Sequence, residues 1–128
     1  MRTLTGHKVN PANDRIAITV TDEPGAGGAN HRYHLNWCPL DNGVDPTLGP
    51  NSLDIHFQEG PIQEVGVNGV TQEALLEIAA DRLRSFQAGP YACRENALAL
   101  TKIEEAQMWL HSRTLKRMQR GVEGTHEK

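Results

Sequence analysis

The sequence predicts an α+β protein in which a small antiparallel β domain is followed by a C-terminal α-helical hairpin. Up to residue 70, apolar and polar side chains alternate with a period of two, and most of the glycines and prolines lie here. That pattern is typical of short strands joined by turns. Beyond residue 70, apolar residues recur at spacings of three and four, which indicates amphipathic helices. We therefore expect two domains, 1–70 and 71–128, with helices at about 71–88 and 93–120.

The β domain is expected to hold four strands joined by short antiparallel connections. They are predicted at 16–21, 31–38, 53–57 and 62–67. Leu4 and Val9 bracket a further short edge strand, and the proline- and glycine-rich stretch Pro39–Asn51 is expected to be a loop.

Composition excludes several classes of function. The formal net charge of −3 argues against binding to DNA or RNA polymers, which requires a broad positive field. The sequence contains no run of about 18 apolar residues, so no membrane span is expected. The first residues also lack the apolar core of a signal peptide. Cys38 and Cys93 are far apart in unlike contexts. One disulfide is an alternative, but two free thiols of a cytosolic protein are expected.

The glycine-rich stretch Asp22–Asn30 admits two interpretations. It is too long for a tight hairpin turn and fits a flexible loop between strands. Alternatively, its glycines would let backbone N–H groups approach a phosphate. The spacing does not match a dinucleotide-binding motif.

Six histidines raise the question of a metal site, and the spacing argues against one. His31 and His34 point to opposite faces of a predicted strand. His34 and His56 could meet across strands, but no nearby Asp, Glu or Cys completes a ligand set with convincing spacing. No cofactor is indicated, and no hydrolase or phosphate-loop motif is present.

The helical half has clear start and stop signals. Thr71 is a predicted N-cap, and Gly89-Pro90 ends the first helix. In the second helix an apolar stripe follows a three-four spacing. Its members are Leu100, Ile103, Gln107, Leu110 and Thr114.

Arg113 and Arg117 lie four residues apart near the end of the second helix, so they share one face. Two guanidinium groups there would suit a diphosphate, although basic residues also complement the helix dipole. Asn96 lies about 31 Å from Arg117 along the helix. If two copies pair antiparallel, Asn96 and Phe86 of one copy approach these arginines of the other. Phe86 would otherwise simply be buried at the end of a helix stripe.

Four segments of the hairpin are similar to a known pair of protein families. They are Phe86–Leu100, Ile103–Ala106, Arg113–Arg117 and Gly121–Thr125. They resemble the hairpin shared by phage Thoeris anti-defence proteins, which capture glycocyclic ADP-ribose signals, and anti-CBASS proteins, which capture cyclic oligonucleotides. The specific part of the resemblance spans 68–125, and the preceding β domain fits the Thoeris branch.

The resemblance implies sequestration of an intact ligand between subunits, without catalysis. Phe86 would stack on the adenine, and Asn96 would contact the base or a ribose. Arg113 and Arg117 would hold the phosphates, and Arg32 would add a contact from the β domain. The ligand would be a cyclic ADP-ribose isomer made by TIR-domain enzymes.

The same resemblance implies a homo-oligomer, a dimer assembled further into a trimer of dimers, in the cytoplasm of an infected bacterial host. Some members of the family bind cyclic trinucleotides at a separate site. In this chain that site is assigned to the loop residues Gly28, Ala29, Asn30 and His31.

Two other functions remain open at the level of sequence. One is an enzyme that degrades cyclic nucleotide signals, for which four acids or bases are available: Glu104, Glu105, His111 and His34. None has an evident partner at working spacing. The other is a phage protein whose hairpin serves only to dimerise.

Overall fold

A computed structural model describes residues 1–38 and 51–127 of the chain and confirms the α+β class. The chain divides into two compact units, Met1–Glu59 and Gly60–Lys128. The first holds an antiparallel sheet and the second holds the long helices. Residues 60–70 are part of the second unit. Of the predicted loop 39–51, all but Asn51 lies outside the described residues.

The sheet of the first unit is a four-stranded antiparallel meander in the order β1-β2-β3-β4. Its strands are β1 Arg2–Leu4, β2 Ile16–Val20, β3 Arg32–Trp37 and β4 Asn51–His56. The strands predicted at 16–21, 31–38 and 53–57 are therefore confirmed, with ends that differ by at most two residues. The short edge strand expected between Leu4 and Val9 lies earlier in the chain, where it pairs with β2.

The first unit has a small core. Ala17, Val20 and Cys38 are buried, and the rings of Tyr33 and Phe57 meet edge to face with centroids 5.6 Å apart. A four-residue helix, α1 Pro11–Asp14, connects β1 to β2. Cys38 is buried and Cys93 is exposed, and both are free thiols, as expected.

The prediction of a strand at 62–67 is wrong, because Ile62–Val65 forms a short helix, α2. Pro61 precedes it with φ −67°, and the N–H groups of Glu64 and Val65 donate back to the carbonyl of Pro61. Ile62 and Val65 are three residues apart, a spacing that places both on one face of a helix. The alternation of Val65 and Val67 had suggested a strand instead. Gly66, at φ 73°, then ends the helix in a conformation that favours glycine.

The second unit is built on the predicted hairpin of two long helices, α3 Gln72–Gln87 and α4 Arg94–Gln119. The hydroxyl of Thr71 accepts a hydrogen bond from the N–H of Ala74 at 3.1 Å, which confirms the predicted N-cap. Cys93 caps α4 in the same way through its sulfur. None of the helices in the described part of the chain is long and apolar enough to cross a membrane.

The two helices pack along the stripe that the sequence predicts. On α4 the positions from Leu100 to Thr114 at three-four spacing are half-buried, whereas most positions between them are exposed. On α3, Ala80 is fully buried, which allows close approach of the helices. The stripe extends by three residues beyond Thr114 to Arg117, which is also buried.

Candidate ligand-binding site

The bend between α3 and α4 borders an open pocket of about 580 Å³, here called the bend pocket. Phe86 lines it with 36% of its surface exposed, and Asp81, Ser85 and Tyr91 lie around it. A partly exposed ring in a pocket of this volume can accept the planar base of a nucleotide by stacking.

Arg82 covers the ring of Phe86 from within α3. Its Cζ atom lies 5.2 Å from the ring centroid, which is within the range of a cation–π contact. Arg82 also lines the bend pocket. No role at the site was predicted for this arginine from the sequence, although its spacing of four from Phe86 was a usable signal.

Asn96 lies at the same end of the hairpin, in the first turn of α4. Its backbone N–H donates to Sγ of Cys93 at 3.5 Å. Its half-buried side chain makes no hydrogen bond to the residues that the structure describes. The amide is therefore open to a ligand, at a helix end whose dipole favours negative charge.

Arg113 lies near the other end of α4 and is exposed. Across residues 1–38 and 51–127 it has no hydrogen-bond or ion-pair partner. Its five N–H donors are therefore available to an incoming anion. A guanidinium with that freedom can form the paired hydrogen bonds that phosphates favour.

Arg117 is in the opposite situation, since only 6% of its surface is exposed. Its Nε donates to the Glu123 carboxylate at 3.1 Å. The two terminal nitrogens donate to backbone carbonyls of Val122, Thr125 and Glu127. Arg117 thus holds residues 122–127, here called the C-terminal segment, against α4.

The C-terminal segment also contacts α2. Gln63 donates from its backbone to the carbonyl of Gly124 at 3.2 Å and from its side chain to the carbonyl of Glu123 at 2.8 Å. Gly124 has φ 81°, and an added Cβ would lie 2.9 Å from Cγ1 of Ile62. The buried arginine, the C-terminal segment and α2 therefore form one packed assembly.

The predicted site residues of the hairpin fall into two groups. Phe86 and Asn96 lie at the bend, and Arg113 and Arg117 lie toward the opposite end of α4. From Asn96 the distance along the helix is about 26 Å to Arg113 and about 31 Å to Arg117. One small ligand cannot reach both groups within a single chain.

The middle of the hairpin is acidic and does not suit a phosphate. Arg84 donates to Glu77 at 2.8 Å and to Glu104 at 3.4 Å, and Gln107 donates to Glu77 at 3.1 Å. The hydrogen bond from Arg84, followed by that from Gln107, lowers the pKa of the Glu77 carboxyl. This network joins the two helices and leaves their shared groove with little free positive charge.

The glycine-rich loop of the first unit is held by its own hydrogen bonds. The Asp22 carboxylate accepts from the backbone N–H of His31 at 2.9 Å. Nε2 of His31 donates to the carbonyl of Ala26 at 2.8 Å, and the Asn30 amide donates to the carbonyl of Asp22 at 2.8 Å. Gly27 and Gly28 have positive φ values. The side chains of Asn30 and His31 are thus engaged, whereas Arg32, the next residue, is exposed.

Substitution of Asp22 by asparagine is expected to remove an acid-sensitive part of the stability of the first unit. Burial raises the pKa of the Asp22 carboxyl, but hydrogen bonds from His31, Arg32 and Asn30 lower it more, so its pKa lies below the ordinary 3.8. The contribution of this carboxylate is therefore complete above that ordinary value and is lost as the pH falls through the lowered value of the folded state.

Urea unfolding followed by Trp37 fluorescence, in a Trp109→Phe background, tests this expectation. The stability difference between the parent and Asp22→Asn should be largest at about pH 7 and shrink toward about pH 2. A difference that stays constant over that range would contradict it.

No assembly of catalytic groups is evident in the described residues. Nδ1 of His34 contacts the Asp54 carboxylate on the sheet, and among the described residues no hydroxyl or thiol is hydrogen-bonded to this imidazole. Glu104 is paired with Arg84, and Glu105 with Lys102. Within 1–38 and 51–127 no group of three or more His, Cys, Asp or Glu side chains could hold a metal ion.

Comparison with known proteins identifies a family and a relative. The family model of the Acb2/Tad1 hairpin domain matches residues 49–115. A protein named Thoeris anti-defense 1, from Bacillus phage SBSphiJ7, is 57% identical over 74 residues, which is 58% of this chain and 52% of that protein. The similarity thus spans about half the length of that relative.

The family match covers most of the candidate site in the hairpin. Phe86, Asn96 and Arg113 lie inside the matched range, and Arg117 lies two residues beyond it. The range also covers the bend pocket and the three-four stripe through Thr114.

Proposed function

Because the chain belongs to the Acb2/Tad1 hairpin-domain family, we propose that it is a phage anti-defence protein that captures a cyclic ADP-ribose signal and holds it uncleaved. The ligand would be a glycocyclic ADP-ribose made by TIR-domain enzymes of the bacterial host. Sequestration in the host cytoplasm would keep the signal from its effector.

The pairing of Phe86 with Arg113 carries this proposal. One offers a ring in an open pocket, and the other offers a guanidinium with no partner among the described residues. Stacking on a base contributes about 1–3 kcal/mol, and charge-assisted hydrogen bonds to a phosphate contribute about 1.5–3 kcal/mol each. These two contacts match the adenine and the diphosphate of the proposed ligand.

The site is completed by a second copy of the chain. Antiparallel pairing of two hairpins would bring the bend of each copy beside Arg113 of the other. A single ligand could then contact both groups, which are too far apart along α4 within one chain. Exposed apolar side chains support such pairing, because surfaces of this kind usually mark an interface. On α3 and α4 the most exposed large apolar side chains are Trp109 at 68% and Ile78 at 66%, followed by Met118, Met108, Leu98 and Leu115.

The remaining residues have subsidiary roles in this proposal. Asn96 contacts the base or a ribose with its unengaged amide. Arg117 can reach a phosphate only when the C-terminal segment releases its guanidinium, so the principal phosphate contact is assigned to Arg113. The contact from Arg32 and the second site for cyclic trinucleotides at 28–31 stay predictions.

A ligand-release experiment distinguishes sequestration from catalysis. The purified protein is incubated with cyclic ADP-ribose from a TIR-domain enzyme, freed of unbound ligand by filtration and heated. Mass spectrometry then identifies what is released. Intact cyclic ligand is expected, in proportion to the protein. A linear or hydrolysed product would indicate the alternative enzyme, and no released nucleotide would leave a hairpin that only dimerises.

Substitution of Phe86 by leucine is expected to weaken binding of the ligand by a factor of at least about 10, since leucine cannot stack on a base. Isothermal titration calorimetry measures the effect. Phe86→Trp is the matched control, because it keeps an aromatic face and should bind within a few-fold of the parent. Equal binding by the leucine and tryptophan variants would contradict the stacking role.

The two-copy site also requires that the protein be at least a dimer at the concentrations at which it binds. Light scattering coupled to size-exclusion chromatography tests this directly. A protein that binds its ligand as a strict monomer would contradict the proposed site.

A further inference from the structure

Phe86 presents two unequal faces, because Arg82 lies over one of them. The two residues are one helical turn apart on α3, so their side chains project from the same side of the helix. With Cζ of Arg82 5.2 Å from the ring centroid, a base that stacks on Phe86 must use the opposite face or displace the guanidinium. The arrangement therefore limits how a ligand can enter the bend pocket.

Arg82 has no other interaction among the described residues that would hold it in this position. It forms no hydrogen bond or ion pair there, although Asp81 is its neighbour in sequence. Arg84, two residues on, is by contrast engaged by Glu77 and Glu104. Among the described residues, the cation–π contact with Phe86 is thus the interaction that holds Arg82. The N–H donors of Arg82 remain unpaired at the pocket.

We propose that Arg82 is a positioning residue for Phe86. The guanidinium restricts the ring to one orientation and leaves a single face for the ligand. It acts through the ring, whose negative face attracts the cation, and fixing the ring before binding reduces the ordering that binding requires. This inference rests on the proposed function, since it assumes that Phe86 is the stacking platform.

The substitution Arg82→Met separates positioning from folding. Methionine retains a long side chain and good helix propensity, and Arg82 is exposed, so the fold should be unaffected. Binding of cyclic ADP-ribose is expected to weaken about fivefold. Arg82→Lys should recover part of the loss, because an ammonium can also lie over the ring. Lys116→Met is the matched control for removal of one exposed positive charge and should bind like the parent.

A double-substitution cycle identifies the route of the effect. If Arg82 acts only through the ring, Phe86→Leu and the combined Arg82→Met/Phe86→Leu variant should bind equally weakly. In the free protein, NMR should show upfield-shifted side-chain protons of Arg82 that move to ordinary positions in Phe86→Leu.

Three results would overturn the inference. They are unchanged binding by Arg82→Met, losses that simply add in the double variant, and Arg82 protons that are the same with and without the ring. Absence of binding by the parent protein would instead overturn the proposed function and this inference with it. Binding by the parent with an unaffected Arg82→Met variant would overturn the inference alone.

Discussion

Replacement of Arg117 by alanine is expected to lower the free energy of unfolding of the second unit, which holds the hairpin, by about 3 kcal/mol and its Tm by roughly 12–24 °C. The guanidinium is buried and donates to Glu123 and to three backbone carbonyls of the C-terminal segment. Alanine would remove the donor to the Glu123 carboxylate and to the carbonyls of Thr125 and Glu127. The carbonyl of Val122 would keep its hydrogen bonds from the backbone N–H and hydroxyl of Thr125. The contacts of the segment with α2 would then have to hold it alone.

Thermal unfolding followed by Trp109 fluorescence, in a Trp37→Phe background, measures the effect within the second unit. Lys116→Ala removes a neighbouring but exposed cation and should change stability by less than about 0.5 kcal/mol. Arg117→Lys keeps the charge but loses the forked geometry, so an intermediate value is expected. If Arg117→Ala were as mild as the Lys116 control, the C-terminal segment would not depend on this arginine.

This expectation affects how binding data on Arg117 are interpreted. A loss of ligand binding in Arg117→Ala could arise from release of the C-terminal segment rather than from loss of a phosphate contact. The two causes separate through Glu123→Gln, which weakens the ion pair without removing the guanidinium. If Glu123→Gln lowers stability but leaves binding unchanged or tighter, Arg117 has both roles. It holds the C-terminal segment in the free protein and contacts a phosphate once the segment releases it.

The helical hairpin could be predicted because its signals are local. Thr71 as an N-cap, Gly89-Pro90 as a stop and the three-four stripe on α4 each act within a few residues, and long periodic segments are well determined by such patterns. The strands at 16–21, 31–38 and 53–57 could be predicted for the same reason. Their alternation over at least five residues specifies one buried face.

The segment 62–65 could not be predicted in this way because it is short. Two apolar residues three apart fit one face of a helix turn, and Val67 makes the same stretch look alternating. In the structure this helix is also hydrogen-bonded to the C-terminal segment, which lies about sixty residues away in sequence. Pro61, which favours the start of a helix, was the available local signal.

The residues of the candidate site could be predicted, but the burial of Arg117 could not. The resemblance supplied Phe86, Asn96 and the two arginines, but nothing local distinguishes an arginine that is free from one that is buried. That difference depends on where residues 122–127 fold back. Extending the three-four stripe from Thr114 by three residues would have indicated that Arg117 faces inward while Arg113 does not.

Replacement of Arg113 by alanine is expected to weaken ligand binding about 100-fold, because two charge-assisted hydrogen bonds to a phosphate contribute roughly 3 kcal/mol together. Since Arg113 is exposed and has no partner in the described parts of the chain, the Tm should hardly change. Calorimetric titration alongside Lys116→Ala, which removes the same charge three residues away, separates a specific contact from a general loss of attraction. Equal effects of the two substitutions would reduce the role of Arg113 to general electrostatics.

Mixing two inactive variants then tests whether the site is shared between copies. In a dimer of one Phe86→Leu chain and one Arg113→Ala chain, one site carries both substitutions. The other site combines an intact Phe86 with an intact Arg113 and should bind normally. After random exchange of subunits, about a quarter of all sites should therefore recover. If both residues acted within a single chain, every site would carry one substitution and no binding would return, so recovery depends on a site built across two subunits.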